Sequence, residues 1–181
     1  AGRIERRKGV GSFVAQAALH RTESVLRSFS DEIRRRDGEP SSIIIEQGLV
    51  VLPSQALLMG LDPHDPMVRI DRVRCSDAVP VAREITYLPG RLRAVLERDF
   101  ATASLHQALR ELGTTPARAT GYVTARLASP EEGELLRQEL PAALLVESRT
   151  VSDTDGKVIE STETAYVGSR WAMDTAAAVS R

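Results

Sequence analysis

The sequence predicts an α+β domain, an antiparallel sheet with helices packed on one side. Three observations predict it. Stretches rich in Ile and Val, or alternating apolar with polar residues, recur at 43–52, 67–75, 80–87, 118–128, 143–152 and 157–167. Two pairs of them are joined by short turn-like sequences, Ser76-Asp77-Ala78-Val79 and Asp153-Thr154-Asp155-Gly156, which make antiparallel hairpins. The helix signals between them are short and lack the strict βαβ rhythm of a parallel sheet.

In chain order, Gly9 and Gly11 permit a tight turn and Ser12 to Ala15 reads as a short strand. A disordered basic tail fits this opening equally, since Arg3, Arg6, Arg7 and Lys8 stand among the first eight residues. Residues 16–27 are helix-like, with Ala17, Ala18, Val25 and Leu26 but no clean apolar stripe. Ser28-Phe29-Ser30-Asp31 has capping-box character and predicts a helix over 29–37 that stops at Gly38. After the strand at 43–52, Pro53-Ser54 opens a short helix through Leu57, Leu58 and Met59, closed by Gly60. Helices are expected over 92–97 and 104–112, the second ended by Gly113. Ser129-Pro130-Glu131-Glu132 is a strong start: Ser as cap, Pro at the first position, acids in the first turn. Residues 174–181 are small and polar and read as a frayed end.

Composition narrows the function. Lys and Arg number 24 against 25 Asp and Glu, a net charge of -1, whereas a nucleic-acid domain carries a clear basic excess. Cys75 is the only cysteine, so no internal disulfide forms, and His20, His64 and His106 are too dispersed for a metal motif. The N-terminal residues lack the apolar stretch of a signal peptide, and no apolar run is long enough to span a bilayer. Together these features predict a reduced, cytoplasmic setting. There is no phosphate loop, nucleophile elbow or metal motif, so the chain reads as a non-enzyme without a cofactor.

A few side chains could still carry chemistry. Arg72 and Arg74 lie two apart on one strand and share a face with Val68 and Ile70. Guanidinium groups on an apolar face call for anions, and a forked guanidinium suits phosphate or carboxylate. An edge strand with its charges in solvent is the alternative. Glu84, on the return strand, shares the face of Arg72 only if the turn holds an odd number of residues, which a three-residue loop at 77–79 satisfies. Ser28 and Ser30 stand at one helix start, Ser104 and His106 at another; anion binding and plain capping both fit. Glu160 and Tyr166 share a face of the last long strand.

Several segments in register resemble the UTRA effector domain of GntR-type transcription regulators of the HutC subfamily. They are Leu26-Arg27-Ser28-Phe29-Ser30-Asp31-Glu32, Ile70-Asp71-Arg72-Val73-Arg74 and Pro80-Val81-Ala82-Arg83-Glu84. Ala103-Ser104-Leu105-His106, Leu144-Leu145-Val146-Glu147-Ser148-Arg149, and Glu160-Ser161 with Tyr166-Val167-Gly168-Ser169-Arg170-Trp171 complete the set. The resemblance implies a chorismate-lyase-like fold, an antiparallel sheet flanked by helices, in a homodimer with a small-molecule pocket. It implies a division into a wing remnant of a winged helix-turn-helix at 1–15, a linker at 16–27, the effector domain at 28–172 and a tail at 173–181, with the DNA-reading helices before residue 1. It also implies an effector site of Ser28, Ser30, Arg72, Arg74, Glu84, Ser104, His106, Glu160 and Tyr166, suited to an anion such as a sugar phosphate. Operator DNA would then be bound only by the winged-helix part. Three positions depart from the family pattern: His106 where tyrosine is common, Ser30 for a usual threonine, and a 77–79 turn without the frequent glycine. A chorismate-lyase-like enzyme and a dimerisation module with a degenerate pocket are the alternatives.

Overall fold

The computed structural model describes residues 4–7, 11–14, 19–22 and 27–174, with side chains from 27 to 173. At its start β1 (Ile4–Arg7) and β2 (Gly11–Val14) form an antiparallel hairpin. Next comes β3 (Leu19–Thr22). Helix α1 (Phe29–Arg34) leads into the main sheet, made of β4 (Pro40–Val50), β5 (Met67–Ser76), β6 (Val79–Pro89), β7 (Pro116–Leu127), β8 (Ala143–Asp153) and β9 (Val158–Val167). The spatial order is β4-β5-β6-β9-β8-β7, antiparallel throughout. The last strand, β10 (Trp171–Asp174), runs parallel to β3 and pairs with it from Trp171↔Leu19 to Asp174↔Thr22.

Helices cover both faces of the sheet, not one. On one face a 3-10 helix (Gly90–Glu97) and α3 (Leu105–Glu111) bury Leu92, Val95, Leu105 and Leu109 against Val68, Ile70 and Leu88. On the other, α4 (Pro130–Leu136) sets Leu136 against Val73, Cys75, Leu144 and Val146. Beside it, α2 (Pro53–Leu58) brings Ala56 onto Met67. The reason is that β5 is apolar on both faces, Met67 and Val73 pointing one way and Val68 and Ile70 the other. Each such side chain taken out of water contributes about 1.5–3 kcal/mol, so both faces gain a cover.

Other boundaries move for local reasons. The helix-like segment 16–27 contains strand β3 instead; it has no apolar stripe to bury as a helix, while β10 supplies backbone partners. Residues 16–18 and 23–26 lie outside the described residues, as do 8–10, 15 and 175–181, so the frayed end is testable only at Asp174, which is paired in β10. Helix α1 ends at Arg34, short of the expected 37, because Asp37 takes the left-handed conformation (φ 59°) and Gly38 N–H donates back to Ile33 O at 3.2 Å. The helix expected over 92–97 is a 3-10 helix. The strand at 43–52 begins at Pro40 and ends at Val50.

The β5–β6 turn is the correction that matters for function. Its loop is two residues, Asp77 and Ala78, both left-handed (φ 52° and 62°), rather than the three of 77–79. A two-residue loop alone would put Glu84 on the wrong face. A register shift between Arg74 and Cys75 supplies the odd residue, so that Arg72 pairs opposite Glu84 and Arg74 opposite Ala82.

Candidate functional site

On β5, one strand in from the edge, Arg72 and Arg74 point to the face covered by α1, the 3-10 helix and α3, and are 2% and 3% exposed. The edge-strand alternative, with the charges in solvent, is thereby excluded. Arg72 donates from Nε to Glu84 Oε1 at 2.8 Å, with Nη2 2.7 Å from the same oxygen, and its guanidinium sits 5.3 Å from the Phe100 ring. Burial alone would raise the Glu84 pKa, but Arg72 and Arg74 outweigh it and hold the carboxyl below its ordinary range.

Arg74 is placed differently. It donates from Nη1 to Ser42 Oγ at 3.0 Å and from Nη2 to Ser30 Oγ at 3.3 Å, and stands 4.4 Å from the Phe29 ring. Among the described residues no carboxylate lies within ion-pair distance of it. Burial and the neighbouring Arg72, opposed by Glu84, bring its pKa down to about 9. It remains a cation at neutral pH, held by hydroxyls and an aromatic face.

The second half of the site is built across α3, β8 and β9. His106, 3% exposed, sets Nε2 2.9 Å from Glu160 Oε2. Thr162 Oγ1 donates to Glu160 Oε1 at 2.7 Å and Arg149 Nη2 to the same oxygen at 3.4 Å. Burial would raise the Glu160 pKa; His106, Arg149 and Thr162 reverse this and keep the carboxyl well below its usual range. Burial likewise opposes the charge on Arg149, but Glu160 and Glu147 push its pKa up. Tyr166 donates to Glu147 Oε2 at 3.4 Å and stacks on Trp171, ring centroids 4.5 Å apart. Trp171 stacks on Phe29 in turn at 5.8 Å. Ser28, Glu84, Arg149, Tyr166 and Trp171 line a narrow crevice with a cavity volume of about 10 Å³, room for about one water.

Eight of the nine residues expected in a site are thus buried in one region. Ser28 also caps α1, accepting from Asp31 N–H at 3.1 Å and donating to Asp31 Oδ2 at 2.7 Å. Ser104 is the ninth; it is half-buried at the N-cap of α3 and makes no capping bond with its side chain. Arg149 was not expected. Its signal is the one that marked Arg72 and Arg74: an arginine on a strand face shared with the apolar Leu145 and Val151. Ser42, Phe29, Phe100, Thr162 and Trp171 carry no such signal, because only the fold brings them to the arginines and carboxylates.

The arrangement has an excess of donors. Among the described residues six buried side-chain atoms lack a hydrogen-bond partner: Glu32 Oε2, Arg72 Nη1, Arg74 Nε, His106 Nδ1, Arg149 Nε and Trp171 Nε1. Five are nitrogens of this cluster or its crevice, and the sixth belongs to Glu32, which lines the same crevice. Buried donors without acceptors are costly, so the site is suited to a group rich in acceptor oxygens. Among the described residues no three His, Cys, Asp or Glu side chains group to hold a metal ion, and no helix is long and apolar enough to cross a membrane.

The sequence matches the family model of the UTRA domain over residues 35–172. It is 26% identical over 172 residues to the HTH-type transcriptional repressor NagR of Bacillus subtilis, covering 94% of this chain and 71% of that protein. It is 26% identical over 171 residues to the HTH-type transcriptional repressor PhnF of Mycolicibacterium smegmatis, covering 93% of this chain and 69% of that one. The fold superposes on the crystal structure of PhnF from Mycobacterium smegmatis with a TM-score of 0.84 at 23% identity, covering 98% of this chain and 79% of that chain. On the effector domain of the same protein the TM-score is 0.81 at 21% identity, covering 89% of this chain and all (100%) of that chain. These relatives are transcription regulators, which sets aside the reading as an enzyme. The chain belongs to the UTRA domain family of GntR-type transcription regulators.

Proposed function

We propose that this chain is the ligand-sensing and dimerisation part of a cytoplasmic bacterial regulator, and that an anionic small molecule binds among Ser28, Ser30, Arg72, Arg74, Glu84, Ser104, His106, Glu160 and Tyr166. The observation that carries this reading is the cluster of buried, unpartnered nitrogens on Arg72, Arg74, His106 and Arg149. An oxyanion such as the phosphate of a sugar phosphate offers the missing acceptors, while Glu84 and Glu160 accept from hydroxyl or amine groups of the same ligand. The β1–β2 hairpin supports reading residues 1–15 as the end of a wing, with operator DNA bound by a winged-helix domain of which that wing is a part. The segment 16–27 is then the linker. Pocket occupancy modulates DNA binding only if the ligand prefers one arrangement of the two domains.

The test is thermal unfolding against phosphosugars, phosphonates, carboxylates and fatty acids. A true effector at 100 times its dissociation constant adds about 2.7 kcal/mol of stability. Arg74→Ala is the variant to pair with it. Removing Arg72 strands Glu84 in the interior, at a cost of about 3–5 kcal/mol, and confuses binding with folding. Among the described residues Arg74 pairs with no carboxylate that its loss would strand, so Arg74→Ala should leave the fold intact and abolish the ligand's shift. A shift unchanged in Arg74→Ala would remove the anion from this pocket.

A further inference from the structure

The helices on the second face of the sheet leave its middle bare. Helix α2 lies over one end of the strands, at Met67, and α4 over the other, at Val73 and Leu144. Between them β6, β9, β8 and β7 form a floor that no described element covers. Two hollows lie on it. One, of about 720 Å³, runs from Leu58 on α2 past Tyr87 and Ser161 to Tyr122 on β7. The other, of about 410 Å³, shares Ile85 and Glu163 with the first and continues to Arg126 and Leu127 beside α4.

Apolar side chains rise on both sides of the larger hollow: Leu58 is 76% exposed and Tyr122 65%. Helix α2 turns Ala56 into the core and leaves Leu57 and Leu58 in the open. In a lone molecule these side chains forgo the gain of burial, and apolar patches of this kind mark contact sites. The charges select a protein partner over a nucleic acid or an anionic surface. Arg83 is held by Asp71 and Glu131, and Arg126 by Glu132 and Glu163. Arg149 borders the larger hollow but turns its guanidinium to the other face, to Glu147 and Glu160. Each of these arginines already has its carboxylate and offers phosphate no free cation. The size fits as well. Four strands about 4.8 Å apart, each contributing about six residues of about 3.3 Å rise, make a floor of about 400 Å². The flanks of α2, α4 and β7 bring it to the order of the 800 Å² or so that each partner gives to a standard interface. A ridge and a hollow side by side on one patch meet the demand of a two-fold interface, in which each copy presents both.

We propose that a second copy of the chain docks face to face on this floor about a two-fold axis, with Leu58 of each copy set into the other's hollow beside Tyr122. The inference rests on the reading above that the chain is a dimerisation domain, and gives that dimer its surface. The effector pocket lies on the opposite face of the same strands. Glu84 and Glu160 of the pocket therefore alternate with Ile85 and Ser161 of the floor along β6 and β9. Docking here leaves the pocket of each copy on the outside of the pair.

Sedimentation equilibrium of the 181-residue chain reads the association directly. The parent is expected to be a dimer. Leu58→Glu and Tyr122→Glu stand at exposed positions that the fold of one copy does not need. Each should weaken the dimer at least about thirtyfold and keep the circular dichroism of the parent. Leu49→Glu is the control. Leu49 is also exposed, but it pairs with Val68 and points to the opposite face, and its loss should leave the dimer unchanged. Should a floor variant fail to fold, hydrogen exchange of the parent decides: amides of α2 and β7 should lose protection as the dimer is diluted apart, and those of α3 should not. A dimer that survives Leu58→Glu and Tyr122→Glu combined would overturn the inference and leave the dimerisation reading standing. So would a dimer that yields to Leu49→Glu instead. A parent that stays monomeric at every concentration would remove both the inference and the dimerisation reading.

Discussion

Glu132 closes the start of α4 from both sides. Its backbone N–H donates to Ser129 Oγ at 3.2 Å, and its carboxylate accepts from Ser129 N–H at 2.9 Å. The same carboxylate takes both terminal nitrogens of Arg126, each at 2.7 Å. Chiefly through Arg126, and against the effect of burial, its pKa falls from the ordinary 4.5 to about 2. A pKa depressed by folding means stability that is present above 4.5 and lost as pH falls through about 2. Glu132→Gln should therefore cost about 1–2 kcal/mol at neutral pH, and urea unfolding at a series of pH values should show the gap to the parent closing across that window. A gap that stays constant with pH would mean that the charge contributes nothing.

At the scale of elements, the β5–β6 hairpin and the β7–β8 pair set where the arginines stand. Ala78 occupies a left-handed position with φ 62°, at which a residue with a Cβ costs about 1–2 kcal/mol. Ala78→Gly should therefore raise the unfolding free energy by about 0.5–1 kcal/mol, part of the relief being offset by the freedom glycine has when unfolded. Equilibrium denaturation checks it, and a loss of stability would mean that the turn is not strained. Gly121 is the reverse case. It pairs with Arg149, and a Cβ there would come 2.2 Å from the Ser148 carbonyl oxygen and 3.0 Å from the Arg149 Cα. Gly121→Ala should cost about 1–3 kcal/mol and displace Arg149, weakening the ligand-induced thermal shift beyond the loss of stability itself.

Across the whole molecule, one aromatic column joins the pocket to the strand that precedes the domain. Phe29 lies under Arg74, Trp171 stacks on both Phe29 and Tyr166, and Trp171 opens β10, which holds β3 in parallel. A ligand that draws on Arg74 loads this column, and the column ends on backbone hydrogen bonds to residues 19–22. Hydrogen exchange of the amides at 19–22 should slow when an effector fills the pocket. Unchanged exchange there, with protection gained at 72–74, would uncouple the pocket from the segment proposed as the linker.

Most of the main sheet was legible because its signals are local. Alternation marks β5 and β8, turn residues mark the hairpins, and Ser129-Pro130-Glu131-Glu132 marks a helix start whatever surrounds it. Arg72 and Arg74 were legible as well, since charge on an apolar face is visible in the chain, whereas Glu84 and Glu160 were named through the family resemblance. The tertiary structure decided the remainder. Strand β3 exists through its pairing with β10, nearly the whole chain away, and no local propensity announces it. The parity that sets Arg72 against Glu84 comes from a register shift beside Arg74, which backbone geometry controls and residue type does not. Arg149 joined the site when β8 came to lie beside β9. The sequence by itself determined the six strands of the main sheet and which charges must find partners, because periodicity and burial cost are properties of single residues and their near neighbours. Which partners they found, and that Arg74 Nε and His106 Nδ1 were left without one among the described residues, was decided only by folding, because those contacts join residues that are distant in the chain.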